Sequence, residues 1–481
     1  MAVPLAAPCG SWRRPLVALY CVVVTIALLS RMPAQSFWLS APVAATSAGL
    51  SLRWHRAVAA RSSLPAPSAS AFSSKGSASG ASQPRESADV LEPPAWLLAG
   101  RCSPPDDFLA ANTSAATINA SACPLREDGG GSGGYDGRPF ADTIAASFAP
   151  WRGADTKISH AALDAAWSHV TANLPPSFHF SLSGGEVFYR QQGPASAYDS
   201  QLFDMLKTAS RLVRLPDVEF LMHPWDHQKV PRQDPVPVFG FTRGPASNDI
   251  IFPYAYAWRA GGFGLEAAQC GADRDRLAYR SHERAMWRGG CTGPSAAEGY
   301  LPALAPFYLR YRATAQTARR PDVLDAGLVR DCMNRTLSPP LPPLVPEINL
   351  GAAGSLCDYR HLILIDGNTA SGRSSVWVHA GAAVIKPHSI WREWYYDALT
   401  PWVHYVPAQE FLGDLPEKAA WLIDHPAAAQ CLADNLRRVA RRYVSTEGVV
   451  CFIWQLLTQY AELQTEGARS MDRLPPGFQR A

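Results

Sequence analysis

Apolar residues along the chain keep two rhythms. Behind Ser159, a residue able to cap, Ala162, Leu163, Ala166, Trp167 and Val170 recur at helical spacing, which predicts a helix that ends before Pro175. Leu202, Met205, Leu206, Ala209 and Leu212 predict a second helix over 200–212. Between the two, FHFSLSGGEVFYR predicts a pair of short strands turning at Gly184-Gly185. The apolar runs VEFLMH (218–223), VFGFT (238–242) and DIIF (249–252) are bounded by proline and predict buried strands. The second half repeats the alternation. Strands are predicted at AMWRGG (285–290), HLILID (361–366) and AAVIK (382–386), with helices over 375–380, 390–399, 427–443 and 449–463. Two successive blocks of alternating strands and helices predict an α/β fold of two doubly wound, Rossmann-like domains facing a cleft that holds the active site.

Composition then sets the limits of the folded part. With 481 residues, 47% hydrophobic and 18% charged, the chain can bury a sizeable core, which excludes a wholly disordered protein. Its glycine and proline bias is local. Residues 39–94 are Ala, Ser and Pro with few large apolar side chains, too few to offset the ordering entropy, and read as a stem. DGGGSGG (128–134) follows before the first strong helical pattern, so the folded unit is expected to start near Tyr135. Lys and Arg number 44 against 41 Asp and Glu, with no run of five or six like charges, which argues against a nucleic-acid partner.

The start of the chain suggests a compartment. Arg13 and Arg14 precede an uncharged stretch, 15–30, which reads either as a signal anchor or as the core of a cleaved signal peptide. Both send the chain into the secretory pathway; an anchor gives a single-pass type II membrane protein, cleavage a secreted one. The resulting division is 1–31 cytoplasmic tip and anchor, 32–134 stem, 135–280 a first α/β domain, and 281–470 a second α/β domain with the final helices. Of ten cysteines, Cys9 and Cys21 lie at or in the apolar segment; the other eight make disulfides the default in an oxidising lumen, and Cys102 with Cys123 is the pairing favoured by proximity. Asn112, Asn119 and Asn334 begin N-x-[ST] sequons, which fit the same compartment. The final residues LPPGFQRA lack an ER-retrieval tetrapeptide, which favours the Golgi over the ER.

Candidate chemistry concentrates in HLILIDGNTASGR (361–373). A buried strand running into a Gly/Ser-rich loop and then a helix points backbone N–H groups at whatever lies above the strand end, and suits an anion. Arg373 adds a cation and Ser371 a hydroxyl donor; the plainer alternative is an ordinary loop-to-helix junction with a surface arginine. For Asp226, between Pro224 and Pro231, the plain alternative is a carboxylate capping its own turn.

The segment VIKPHSIWREWYYDALTPWVHYVP, with DGNTASGR ahead of it, resembles glycosyltransferase family 90, the family of capsule-associated proteins and protein O-glucosyltransferases. WRGG (287–290), DVEFLMHPWDH (217–227), PVFGFT and DIIFPYAYAW resemble further elements of that family, in the right order. The resemblance implies a GT-B-like enzyme that transfers glucose or xylose from a UDP-sugar to a hydroxyl of a protein or polysaccharide acceptor, with inversion and without a metal. It implies Asp226 as the base, Arg288 and Arg373 against the leaving diphosphate, Asn368, Thr369, Ala370, Ser371 and Gly372 wrapping it, Glu393 for ribose hydroxyls, and Asp249 at donor or acceptor. Inverting transfer is a single in-line displacement, so one base and positive charge at the leaving group suffice. No metal or other cofactor is expected: Asp273-Arg274-Asp275 lacks a flanking apolar strand, and His379, His388 and His404 form no ligand spacing. Cys291-Thr292-Gly293 stands where the protein O-glucosyltransferase branch has a further arginine, leaving sugar and acceptor open. The competing reading is a membrane-anchored glycan- or nucleotide-sugar-binding protein on the same scaffold without turnover; a glycoside hydrolase would need two carboxyl groups about 5–10 Å apart.

Overall fold

The computed structural model describes residues 92–105, 123, 138–153, 157–173, 177–194, 196, 198–226, 236–245, 247–259, 262–263, 270, 276–293, 308–330, 343–346 and 356–481. The apolar segment 15–30, the stem up to 91, the three sequons and Asp273-Arg274-Asp275 lie outside them. Among the described residues no helix is long and apolar enough to cross a membrane.

Helix α1 (Ala95–Leu98) buries Trp96 and Leu97, and α2 (Ala141–Phe148) buries Ile144 and Phe148. Helix α3 (His160–Asn173) starts as its pattern predicts, with Ser159 Oγ accepting from the Ala162 N–H at 3.1 Å. Strands β1 (Ser177–Ser183) and β2 (Glu186–Gln192) form the hairpin around Gly184-Gly185. Helix α4 (Asp199–Leu212) follows, then β3 (Val218–Met222), β4 (Val238–Gly240) and β5 (Ile250–Ile251), all buried. A small ribbon, β6 (Trp258–Arg259) and β7 (Gly262–Phe263), ends the first half. The second half holds β8 (His282–Gly290), α5 (Leu309–Arg319), β9 (Leu324–Arg330), β10 (Tyr359–Ile363), α6 (Ser374–Trp377), β11 (Ala383–Pro387) and β12 (Val406–Ala408). Three helices, α7 (Leu415–Asp424), α8 (Pro426–Tyr443) and α9 (Thr446–Leu463), and the short β13 (Gln479–Arg480) complete it.

The strands form two principal sheets, so the protein is a mixed α/β structure with parallel strands in both. The first runs β13-β2-β1-β3-β4-β5. Only β3, β4 and β5 are parallel; the hairpin side is antiparallel, a departure from the doubly wound expectation that follows from joining β1 and β2 by a two-residue turn instead of a helical crossover. The second sheet runs β12-β11-β10-β8-β9 and is parallel throughout. Its chain leaves β8 for β9 on one side, then returns to β10 on the other. Strand order therefore reverses between β8 and β10, and in such sheets ligands sit beyond the carboxyl ends of the strands at that point.

Two of the predicted helices change. Residues 390–399 form no α-helix, only a single 3-10 turn at Tyr396–Ala398. Trp394, Tyr395 and Tyr396 are all buried, and three consecutive large rings cannot share one face of a helix, so the chain runs irregularly to enclose them. Helix α6 is a single turn of four residues instead of a helix over 375–380; a helix that short has no macrodipole to offer an anion.

Helix α9 returns to the first sheet. Its Tyr460 ring lies 5.0 Å from Phe239 of β4 and 6.0 Å from Phe148 of α2, and Phe452 lies 5.3 Å from Phe140. The chain after α9 also belongs to this half: β13 pairs antiparallel with β2, and the Arg469 guanidinium reaches Glu219 of β3 at 2.7 Å and Asp164 of α3 at 2.9 Å. Burial pushes the Glu219 carboxyl up, but hydrogen bonds from His179 and Arg469 outweigh it and hold it down at about 2.

Disulfides join Cys102 to Cys431, Cys123 to Cys451 and Cys270 to Cys357, and Cys291 is also disulfide-bonded. The Cys102–Cys123 pairing is thus wrong. Proximity in sequence lowers only the loop-closure cost, whereas packing decides position: the Asn435 amide of α8 donates to the Cys102 carbonyl at 2.8 Å beside the bridge to Cys431. Ordered chain therefore precedes Tyr135, where composition placed the start of the fold.

Candidate active site

The carboxyl ends of β8 and β10 gather three arginines. Arg310, on the first turn of α5, is 7% exposed and donates to the carbonyls of Asp366 at 3.0 Å and Gly290 at 3.1 Å and to the Thr292 hydroxyl. These acceptors are all neutral. Burial first, and then the neighbouring Arg373, pull Arg310 down to about 9, against the opposing pull of Asp366 and Asp226. Arg373 donates to the Arg288 carbonyl at 3.0 Å and lies over the Trp377 ring at 5.6 Å. The approach of both guanidinium groups depends on missing side chains: a Cβ on Gly367 would stand 2.6 Å from Arg310 Nη2, and one on Gly289 2.6 Å from Arg373 Nη2. The WRGG and DGN motifs thus make room for two cations. Arg288 itself is paired to Asp325 of β9 at 2.6 Å, and Asp325 also accepts from the Tyr359 hydroxyl at 2.7 Å.

From the other sheet, the loop after β3 carries Asp226 to the same place. Thr369 Oγ1–H donates to the Asp226 carbonyl, joining the loop after β10 to the loop after β3. The Asp226 carboxylate accepts from the Tyr254 hydroxyl. Behind it, His223 Nε2 donates to Asp249 Oδ1 at 2.7 Å while its Nδ1 faces the Trp225 N–H at 3.4 Å. Asp249 and His223 are fully buried. Asp249 therefore sits one residue removed from the loop surface, supporting the backbone that presents Asp226.

Deeper in the second half, two carboxyl groups share a dry environment. Burial raises Asp366, which accepts from the Ser389 hydroxyl. Glu393 is fully enclosed, and burial together with Asp366 pushes its carboxyl well above its ordinary value. Neither of its oxygens has a hydrogen-bond partner of good geometry; the Tyr395 hydroxyl, engaged with Ser374 at 2.8 Å, reaches it only loosely. Asn368 Oδ1 is likewise buried without a partner.

The structure thus brings together Asp226, Thr369, Gly372 and Arg373 among the residues singled out by sequence, and adds Arg310 and Tyr254. Arg310 lies in the mostly polar stretch LRYRATAQTAR, and the one local signal for it is the spacing that puts it on the buried face with Ala313 and Thr314. His379 is a core histidine and His404 a half-buried one, both lowered to about 4 by burial. A cavity of about 670 Å³ lies elsewhere, at the amino ends of β8 and β10 beside Glu283, Arg360 and Arg437. Its Arg360 pairs with Glu283 and its Arg437 with Asp434.

Comparison with known proteins points the same way. A model of glycosyl transferase family 90 matches residues 346–474. The chain is 26% identical over 302 residues to protein O-glucosyltransferase 2 of Danio rerio, covering 61% of this chain and 57% of that protein. It is 26% identical over 295 residues to mouse protein O-glucosyltransferase 3, covering 60% and 55%, and 24% identical over 257 residues to human protein O-glucosyltransferase 1, covering 52% and 63%. The chain thus spans a little over half the length of these relatives.

Proposed function

From a chain whose residues 346–474 belong to glycosyltransferase family 90, we propose that it is a GT-B-type transferase moving glucose or xylose from a UDP-sugar to a hydroxyl of a protein or glycan acceptor. The observation that carries the reading is the meeting of Asp226 with a pair of converging cations, Arg310 and Arg373, at the strand-order reversal of a parallel sheet. A buried guanidinium that bonds only neutral acceptors beside a second guanidinium is a site suited to a diphosphate. A carboxylate facing it is placed to take a proton.

The reaction needs no more than these groups. The acceptor oxygen attacks the anomeric carbon as its proton passes to Asp226; the bond from that carbon to the diphosphate oxygen breaks, and UDP leaves with its charge met by Arg310 and Arg373. Attack opposite the leaving group inverts the anomeric centre. Arg288, tied to Asp325, holds the end of β8 to β9. The buried Glu393 and Asn368 oxygens provide acceptors of the kind that ribose or sugar hydroxyls would satisfy. No metal takes part. The chain works in the secretory pathway, held in a Golgi or ER membrane by its first apolar segment, and the names of its relatives favour a protein acceptor.

The test is Asp226→Asn, which keeps shape and removes basicity. It should bind UDP and melt as wild type does while losing about 10²–10⁴-fold in rate. Near-normal turnover by a stable Asp226→Asn protein ends the reading of Asp226 as the base.

A further inference from the structure

Tyr254 touches both halves of the candidate site. Its hydroxyl donates to Oδ1 of Asp226, and its oxygen lies 3.4 Å from the hydroxyl of Tyr198, just ahead of α4. The ring rests on the loop after β10: a Cβ on Gly372 would stand 2.2 Å from its Cε1. Only 6% of the residue is exposed. One side chain therefore contacts the carboxylate presented by the first sheet and a glycine of the loop that carries Arg373.

A carboxylate that acts as base must aim one lone pair at the incoming hydroxyl, yet its terminal torsion is soft and its two oxygens interchange by rotation. A hydrogen bond to Oδ1 removes that freedom and leaves Oδ2 for the acceptor. Resting on the reading of Asp226 as the base, we propose that Tyr254 is a positioning residue: it fixes the rotation of the Asp226 carboxylate and, through its seat on Gly372, makes that alignment depend on the loop holding the donor. Burial, together with the nearby Asp226 charge, pushes the Tyr254 phenol far above the tyrosine range, so it stays a donor at every working pH. Tyr198, itself raised by burial, and the guanidinium of Arg310 from α5 also feel the Asp226 charge.

Tyr254→Phe separates positioning from packing, because the ring stays on Gly372 and only the hydroxyl goes. The full chain, its Tyr254→Phe and Asp226→Asn variants and the double variant are assayed for UDP release over a range of UDP-glucose and UDP-xylose concentrations, with UDP affinity measured by calorimetry. Loss of the hydroxyl should lower kcat roughly 3–30-fold with the donor KM and UDP affinity unchanged, and the Phe substitution should add nothing once Asp226 is Asn. An unchanged kcat, a loss carried by KM alone, or an equal loss in the Asp226→Asn background overturns the role of Tyr254 while leaving the base in place. Full turnover by Asp226→Asn, or no UDP release from either donor by the parent chain, overturns the underlying reading and this inference with it.

Discussion

Arg310→Met puts the donor site to its sharpest test, because the structure predicts opposite behaviour for stability and for binding. Methionine keeps the length and apolar stem of arginine and removes the charge. On the side of stability, the substitution deletes three hydrogen bonds to neutral acceptors, worth about 1 kcal/mol each. Against that, burial and Arg373 have drawn the group from 12.5 to about 9, a cost to its charged form of roughly 5 kcal/mol at 1.36 kcal/mol per tenfold. The two oppose, and the unliganded variant should stay within about 2 kcal/mol of wild type. UDP binding should weaken by about 1.5–3 kcal/mol, or some 10–150-fold, the scale of a charged hydrogen bond. Arg469→Met provides the contrast: it leaves the buried Glu219 carboxylate without its main partner and should cost about 3–5 kcal/mol with UDP affinity intact. Thermal melting and calorimetric titration with UDP on the three proteins decide it. If Arg310→Met melts as early as Arg469→Met and still binds UDP fully, Arg310 is a structural arginine and the diphosphate lies elsewhere.

Two further expectations follow from the charges. Turnover should survive exhaustive chelation with EDTA, since guanidinium groups supply the positive field; loss of activity restored by Mn²⁺ would show that a metal does this instead. Stability should fall as pH drops from about 6.5 to 4, because burial lowers His361, His379 and His404 to about 4: the unfolded chain then takes up protons the folded chain refuses, at up to about 1.4 kcal/mol per pH unit for each histidine, and these three outweigh the opposing gain from the raised carboxyls Asp366 and Glu393. Denaturant titrations at pH 7, 6 and 5 read this directly, and a flat profile would refute it.

The apolar pattern served well both for striped elements and for short unbroken runs. The predictions for α3, α4 and α8 match because each presents an apolar stripe to a sheet or to another helix, while α9, buried on almost every side, and β3 to β5, buried throughout, match through their continuous apolar runs. The run WREWYYD misled because helical spacing cannot show that three neighbouring rings are all enclosed. Strand β9 went unread since its alternation is interrupted by Asp325 and Gly327, one committed to Arg288 and the other pressed against Val345. In the candidate site, motifs point to Asp226, Gly372 and Arg373, which the fold brings together, but Arg310 and Tyr254 become visible only when two loops far apart in sequence are set against each other. Their importance lies in what they touch, which a single sequence does not encode locally.

The long-range bridges also impose a timetable on the cell. Cys102 and Cys123 find their partners 329 and 328 residues later. At a synthesis rate of about 5–20 residues per second, each thiol waits on the order of 15–65 s after its own emergence before the right sulfur exists. Throughout that interval the two sit 21 positions apart and free to oxidise with one another, the very pairing that the sequence suggests. The native bridges must therefore arise late, or by exchange from that early loop, which makes biogenesis of this chain sensitive to disulfide isomerase supply in a way its finished, staple-held fold would not reveal.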